Sequence, residues 1–134
     1  MKSMLGRLTD MANPFAGTWV ANLARSKQHP LHEFQAATIH FAVAGDLVTI
    51  TNIVVDSSGH EERATSKLQA DGKEHRFEGE QHRAVFARWV GSHILQAAVK
   101  KNGQVEGRVV YEVSADNALL TISTEHQQIV CERR

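Results

Sequence analysis

The chain has 134 residues, 42% hydrophobic and 22% charged, with two prolines, a usage that fits one globular domain and excludes a disordered or low-complexity chain. Its 15 basic side chains balance its 15 acidic ones, so no positive field exists to hold phosphate backbones, and nucleic acid is not an expected partner. Cys131 is the sole cysteine; no internal disulfide can form, and the expected location is cytoplasmic.

In residues 1–12, Arg7 and Asp10 interrupt any apolar run, which predicts a frayed or short helical leader rather than an export signal or membrane span. Met11 is an alternative start, and a single domain is expected over residues 13–134. Turn signals then recur at Gly45-Asp46, Ser58-Gly59, Asp71-Gly72, Gly79-Glu80, Gly91-Ser92, Asn102-Gly103, Asp116-Asn117 and His126-Gln127. The runs between them are short and rich in β-branched residues, which predicts about ten strands and no long helix. Asp71-Gly72 and Asn102-Gly103 are the strongest hairpin signals, because type I′ turns need positive φ at both central positions. Consecutive strands are therefore expected to pair antiparallel. Such hairpins stack as a sandwich or close as an up-and-down β-barrel, and closure is the expected outcome because it removes both open edges.

Period-two alternation assigns an inner face. Phe15, Gly17, Trp19, Ala21 and Leu23 point inward on the first strand, Ile39, Phe41 and Val43 on the second, and Val48, Ile50, Asn52 and Val54 on the third. Ala64, Ser66 and Leu68 follow, then His75 and Phe77, then Val85, Ala87 and Trp89. Leu95, Ala97 and Val99 precede Val105, Val109, Tyr111 and Val113, with Glu106 and Arg108 outward; Leu120, Ile122, Ile129, Cys131 and Arg133 complete the set.

This inner face is apolar except for a few polar groups, the usual make-up of a pocket for one small ligand. The candidate ligand-binding residues are Phe41, Asn52, Ser66, His75, Phe77, Trp89, Tyr111 and Arg133. The expected function is non-enzymatic binding of a small apolar or amphipathic molecule. Two alternatives stand beside it: a filled barrel serving as a structural or protein-interaction module, and an enzyme using His75 and Tyr111 as an acid/base pair. Nucleophile-elbow, phosphate-loop, dinucleotide and zinc-protease motifs are all missing from the sequence, so no catalytic residue and no cofactor are assigned. Glu78 and Glu80 share a face that reads as solvent-exposed, and Cys131 reads as a small core residue. His29, His32 and Glu33 have chelate-like spacing, but Pro30 lies between the histidines and no third ligand is indicated, so no metal is expected. His75 has no second axial candidate for haem.

Gly17-Thr18-Trp19 on the first strand and Arg133 on the last resemble the G-x-W motif and C-terminal arginine of the lipocalin and fatty-acid-binding-protein (calycin) barrels. That resemblance implies structural roles for Gly17 and Trp19. For Arg133 it implies either a stack on Trp19 at the closed end or, as in the fatty-acid-binding branch, a contact to a ligand carboxylate. With Asn22, Arg25-Ser26-Lys27, Pro30, Asp71-Gly72-Lys73 and Ser114-x-Asp116, the chain is most similar to small bacterial lipocalin-like proteins without an assigned activity.

Overall fold

The computed structural model describes residues 13–31, 33–77, 79 and 82–134. Ten strands follow one another: β1 (Gly17–Ala21), β2 (Phe34–Ala44), β3 (Leu47–Asp56), β4 (Glu61–Gln69), β5 (Asp71–Arg76), β6 (Arg83–Val90), β7 (Ile94–Lys101), β8 (Gln104–Val113), β9 (Leu119–Ser123) and β10 (Gln128–Arg133). They form one antiparallel sheet in the order β4-β3-β2-β1-β10-β9-β8-β7-β6-β5, the up-and-down barrel expected from the hairpin spacing. Leu23, expected on the first strand, instead opens a short 3-10 turn, Leu23–Arg25. Among the described residues no helix is long and apolar enough to cross a membrane.

Closure comes from the chain's two ends. β1 pairs with β10, placing Trp19 opposite Arg133 and Ala21 opposite Cys131. The Arg133 guanidinium lies 4.1 Å above the Trp19 ring. Its Nε donates to the Asn117 carbonyl at 3.1 Å, Nη1 to the Ala16 carbonyl at 2.9 Å, and Nη2 to the Pro14 carbonyl. Trp19 is fully buried and its indole N–H donates to the Phe15 carbonyl at 2.9 Å. Gly17 is required beside this stack: its φ is +123°, and a Cβ there would stand 3.1 Å from Arg133 Nη1. The core runs inward from this end through Phe15, Ile39, Phe41, Ile50, Leu95 and Leu120. Cys131 is buried in it, and burial pushes its thiol up to about 11.

The barrel is nearly but not fully closed. β4 and β5 are the two ends of the sheet order and share no ladder. Asp71-Gly72 is therefore not the hairpin turn its sequence suggests: Gly72 does have a positive φ of 77°, yet Asp71 already pairs with Arg88 of β6, and a bulge follows before Glu74. Asn102-Gly103 does form its turn, with φ of 53° and 79° between paired Lys101 and Gln104. The two unpaired edges carry charge, Glu61, Glu62, Arg63 and Lys67 on β4 and Asp71, Lys73, Glu74 and Arg76 on β5. Charged side chains are a standard means of keeping an open edge from pairing with another chain.

A second bulge changes the inner face. Val99 pairs with Gly107 but Lys100 pairs with Val105, so Glu106 is an extra residue in β8, and beyond it the alternation reverses. Val105, expected inward, is 41% exposed, whereas Glu106, expected outward, reaches the barrel's interior opening.

Two stability measurements follow from the closed end. Trp19→Ala should destabilise the fold by about 3–5 kcal/mol in urea unfolding, as for other buried aromatic truncations. Gly17→Ala should cost about 1–3 kcal/mol from positive-φ strain and crowding. Part of that crowding is against Arg133, so Gly17→Ala and Arg133→Ala should be less than additive in a double-mutant cycle. Full additivity would separate the glycine from the arginine.

Candidate functional site

The interior holds a cavity of about 640 Å³, within the size range of small-molecule sites. Its apolar wall comes from the inward rows of β3, β4, β6, β7 and β8, including Ile50, Leu68, Val85, Val99 and Val109. The alternation of these strands puts such residues on one face, and the barrel's curvature turns that face inward. The cavity's rim includes Thr124, Glu125 and His126, from the loop between β9 and β10.

Four of the expected ligand-binding residues meet here: Asn52, Ser66, Phe77 and Tyr111 all line the cavity. Asn52 pairs with Ala64 and Ser66 with Ile50, so their side chains are diagonal neighbours on one face of the β3–β4 pair. Among the described residues neither side chain has a hydrogen-bond partner on the protein, and the same holds for the Tyr111 hydroxyl. Burial of the Tyr111 phenol pushes its pKa from the usual 10.0 to about 12, because loss of water disfavours the phenolate.

The other four lie elsewhere. Phe41 and Trp89 belong to an aromatic floor beneath the cavity, in which ring centroids follow from Trp89 to Phe15 at 5.4 Å, Phe15 to Phe41 at 5.5 Å, and Phe41 to Tyr111 at 5.6 Å. Tyr111 is thus the member of this chain of rings that reaches the cavity wall. His75 has the register of an inward residue, opposite Val85. Its ring, however, lies against the Asp71 carboxylate, with Nε2 at 2.9 and 3.0 Å from the two oxygens, and it is not part of the cavity wall. Backbone N–H donation from Lys73, then the contact with His75, hold Asp71 below the usual carboxylate range. His75 and Tyr111 therefore do not converge as an acid/base pair. Arg133 is committed to the closed end, where three backbone carbonyls and the Trp19 ring take up its guanidinium. It is not a cavity residue, so of its two expected roles the stack is the one formed.

Residues outside the expected set complete the rim. Glu106 lines the cavity and accepts from Arg83 Nη2 at 3.2 Å, while the Arg83 guanidinium lies 5.6 Å above the Phe77 ring. One signal pointed to this: Gly107, in mid-strand, is a common mark of a bulge. The rim loop is braced by His29, whose ring meets that of His126 edge-on at 5.3 Å. His32, Glu78 and Glu80 lie outside the described residues, as does the leader over 1–12. Among the described residues no three His, Cys, Asp or Glu side chains are grouped as metal ligands would be.

No protein-family model and no curated protein sequence matches the chain. Solved structures do. The wild-type fluorescent protein UnaG aligns with a TM-score of 0.58 at 17% identity, covering 90% of this chain and 96% of its own. A mutant of UnaG aligns with a TM-score of 0.59 at 16% identity over the same shares. At such identity the likeness establishes the fold alone, a nearly closed, ten-stranded antiparallel barrel with the fatty-acid-binding-protein-like fold.

Proposed function

We propose that the protein binds one small apolar or amphipathic molecule inside its barrel and does so without chemical conversion. The observation that carries this reading is the cavity of about 640 Å³, apolar over most of its wall, with the polar groups of Asn52, Ser66 and Tyr111 facing it. A barrel packed solid for a structural or protein-interaction role has no use for such a space. An enzymatic use of Tyr111 would need a proton-transfer partner, and the nearest expected one, His75, is turned to Asp71. The buried, lone Cys131 thiol suits a reducing, cytoplasmic setting.

A neutral, environment-sensitive dye tests the reading. Nile red should brighten on mixing with the full chain and accept energy from tryptophan, and Trp89→Phe should remove much of the transfer because Trp89 lies in the aromatic floor. An unchanged dye spectrum, repeated with a retinoid and a fatty alcohol as competitors for any bound endogenous molecule, would defeat the proposal.

Tyr111 is the only tyrosine, so tyrosinate absorbance reports on this cavity alone. The titration midpoint should lie near 12 rather than 10.0, and Nile red should raise it further by displacing water. Because the unfolded chain ionises first, the part of the stability that Tyr111→Phe removes from the pH profile should be constant below pH 10.0 and be lost as pH rises from there to about 12. A midpoint at the ordinary tyrosine value would show the phenol to be solvated, contrary to its placement.

A further inference from the structure

The polar groups on the cavity wall constrain the chemistry of whatever binds there. Asn52, Ser66 and Tyr111 are all uncharged, and each can both donate and accept a hydrogen bond. All three line the same cavity: Asn52 and Ser66 are diagonal neighbours on β3 and β4, and the Tyr111 ring packs edge-on against Phe41, two strands along the row from Ser66. The phenol keeps its proton at any physiological pH.

Charged and titratable groups border the cavity at its exposed margin, where Glu125 and His126 of the β9–β10 loop also lie. Lys67 pairs with Thr49, and Thr49 with Ala42, which is the outward row. Arg108 pairs with Ala98, and Ala98 with Phe86, again the outward row. Glu106 is engaged by Arg83. The guanidinium of Arg133, which could have met an anion, is held by backbone carbonyls at the closed end. A carboxylate placed against Asn52, Ser66 and Tyr111 would therefore lose hydration beside the buried phenol with no cation among these three groups to replace it, which is unfavourable. A hydroxyl, carbonyl or amide would lose far less and gain hydrogen bonds from the same three groups.

We infer that the ligand presents an uncharged hydrogen-bonding group to Asn52, Ser66 and Tyr111, lays its apolar remainder against the hydrophobic wall, and belongs to the class of neutral alcohols, carbonyl compounds or amides rather than carboxylates. This inference rests on the carrier reading above, and one competition experiment separates the two.

Nile red bound to the full chain is displaced with decan-1-ol, decanamide or decanoate at about pH 8, where the acid is ionised. The alcohol and amide should act at concentrations about tenfold or more below that of decanoate. Tyr111→Phe should raise the concentrations of alcohol and amide needed by about three- to tenfold while leaving decanoate unchanged, and Ser66→Ala, at a position that tolerates a smaller side chain, should do the same more weakly. Decanoate displacing as well as the neutral compounds, or losing potency on Arg108→Ala, would overturn the inference and leave a carrier whose ligand head sits at the margin. Failure of Nile red and all three compounds to bind would overturn the carrier reading, and the inference with it.

Discussion

The ladder between β1 and β10 is the constraint on which the other features depend. It joins the two ends of the chain, so its formation encloses almost the whole sequence in one loop, and the entropy of that closure must be met by contacts made at the seam. Those contacts are concentrated in one place. Arg133 covers the buried Trp19 ring and satisfies the carbonyls of Pro14, Ala16 and Asn117. Those carbonyls belong to the lead-in to β1 and to the turn before β9, so a single side chain ties three segments together. Gly17 allows the approach because any other residue would press a Cβ against the guanidinium.

Sealing the barrel at its termini moves the discontinuity to the middle of the chain. The sheet is interrupted between β4 and β5, where the sequence is dense in charge and the strands are mostly exposed. The two edges can remain unpaired because charged side chains oppose their addition to another sheet. The cavity has part of its wall on β4, through Ser66 and Leu68, and Phe77 just beyond β5 forms part of the same lining. The closed end and the cavity are thus opposite results of one topology: Arg133 is a structural cation at the seam, and the polar groups of Asn52, Ser66 and Tyr111 in the cavity are neutral.

Much of this was legible in the sequence because it depends on local rules. Alternation placed Ile50, Asn52, Ser66, Val109 and Tyr111 on the inner face, and the structure puts all five on the cavity wall. Gly17, Trp19 and Arg133 pointed to the closed end. What escaped were features set by neighbours rather than by period. The bulge at Glu106 reverses the alternation for the first residues after the β7–β8 turn, which inverts Val105 and Glu106. Asp71-Gly72 has turn chemistry, yet it serves a bulged strand start beside the gap instead of a hairpin. His75 has the right register, but a strand pattern does not say that a carboxylate four residues earlier captures the ring. Phe41 and Trp89 are inward as expected; ring packing with Phe15 makes them the floor rather than the wall.

A cavity of about 640 Å³ in a barrel of this size has room for one small molecule. Native mass spectrometry of the full chain, purified without denaturation and then incubated with a neutral long-chain alcohol, tests its occupancy most directly. A discrete one-to-one complex is expected, lost when the protein is unfolded and weakened by Tyr111→Phe. Only the bare chain mass, before and after incubation with neutral and acidic apolar compounds alike, would contradict it.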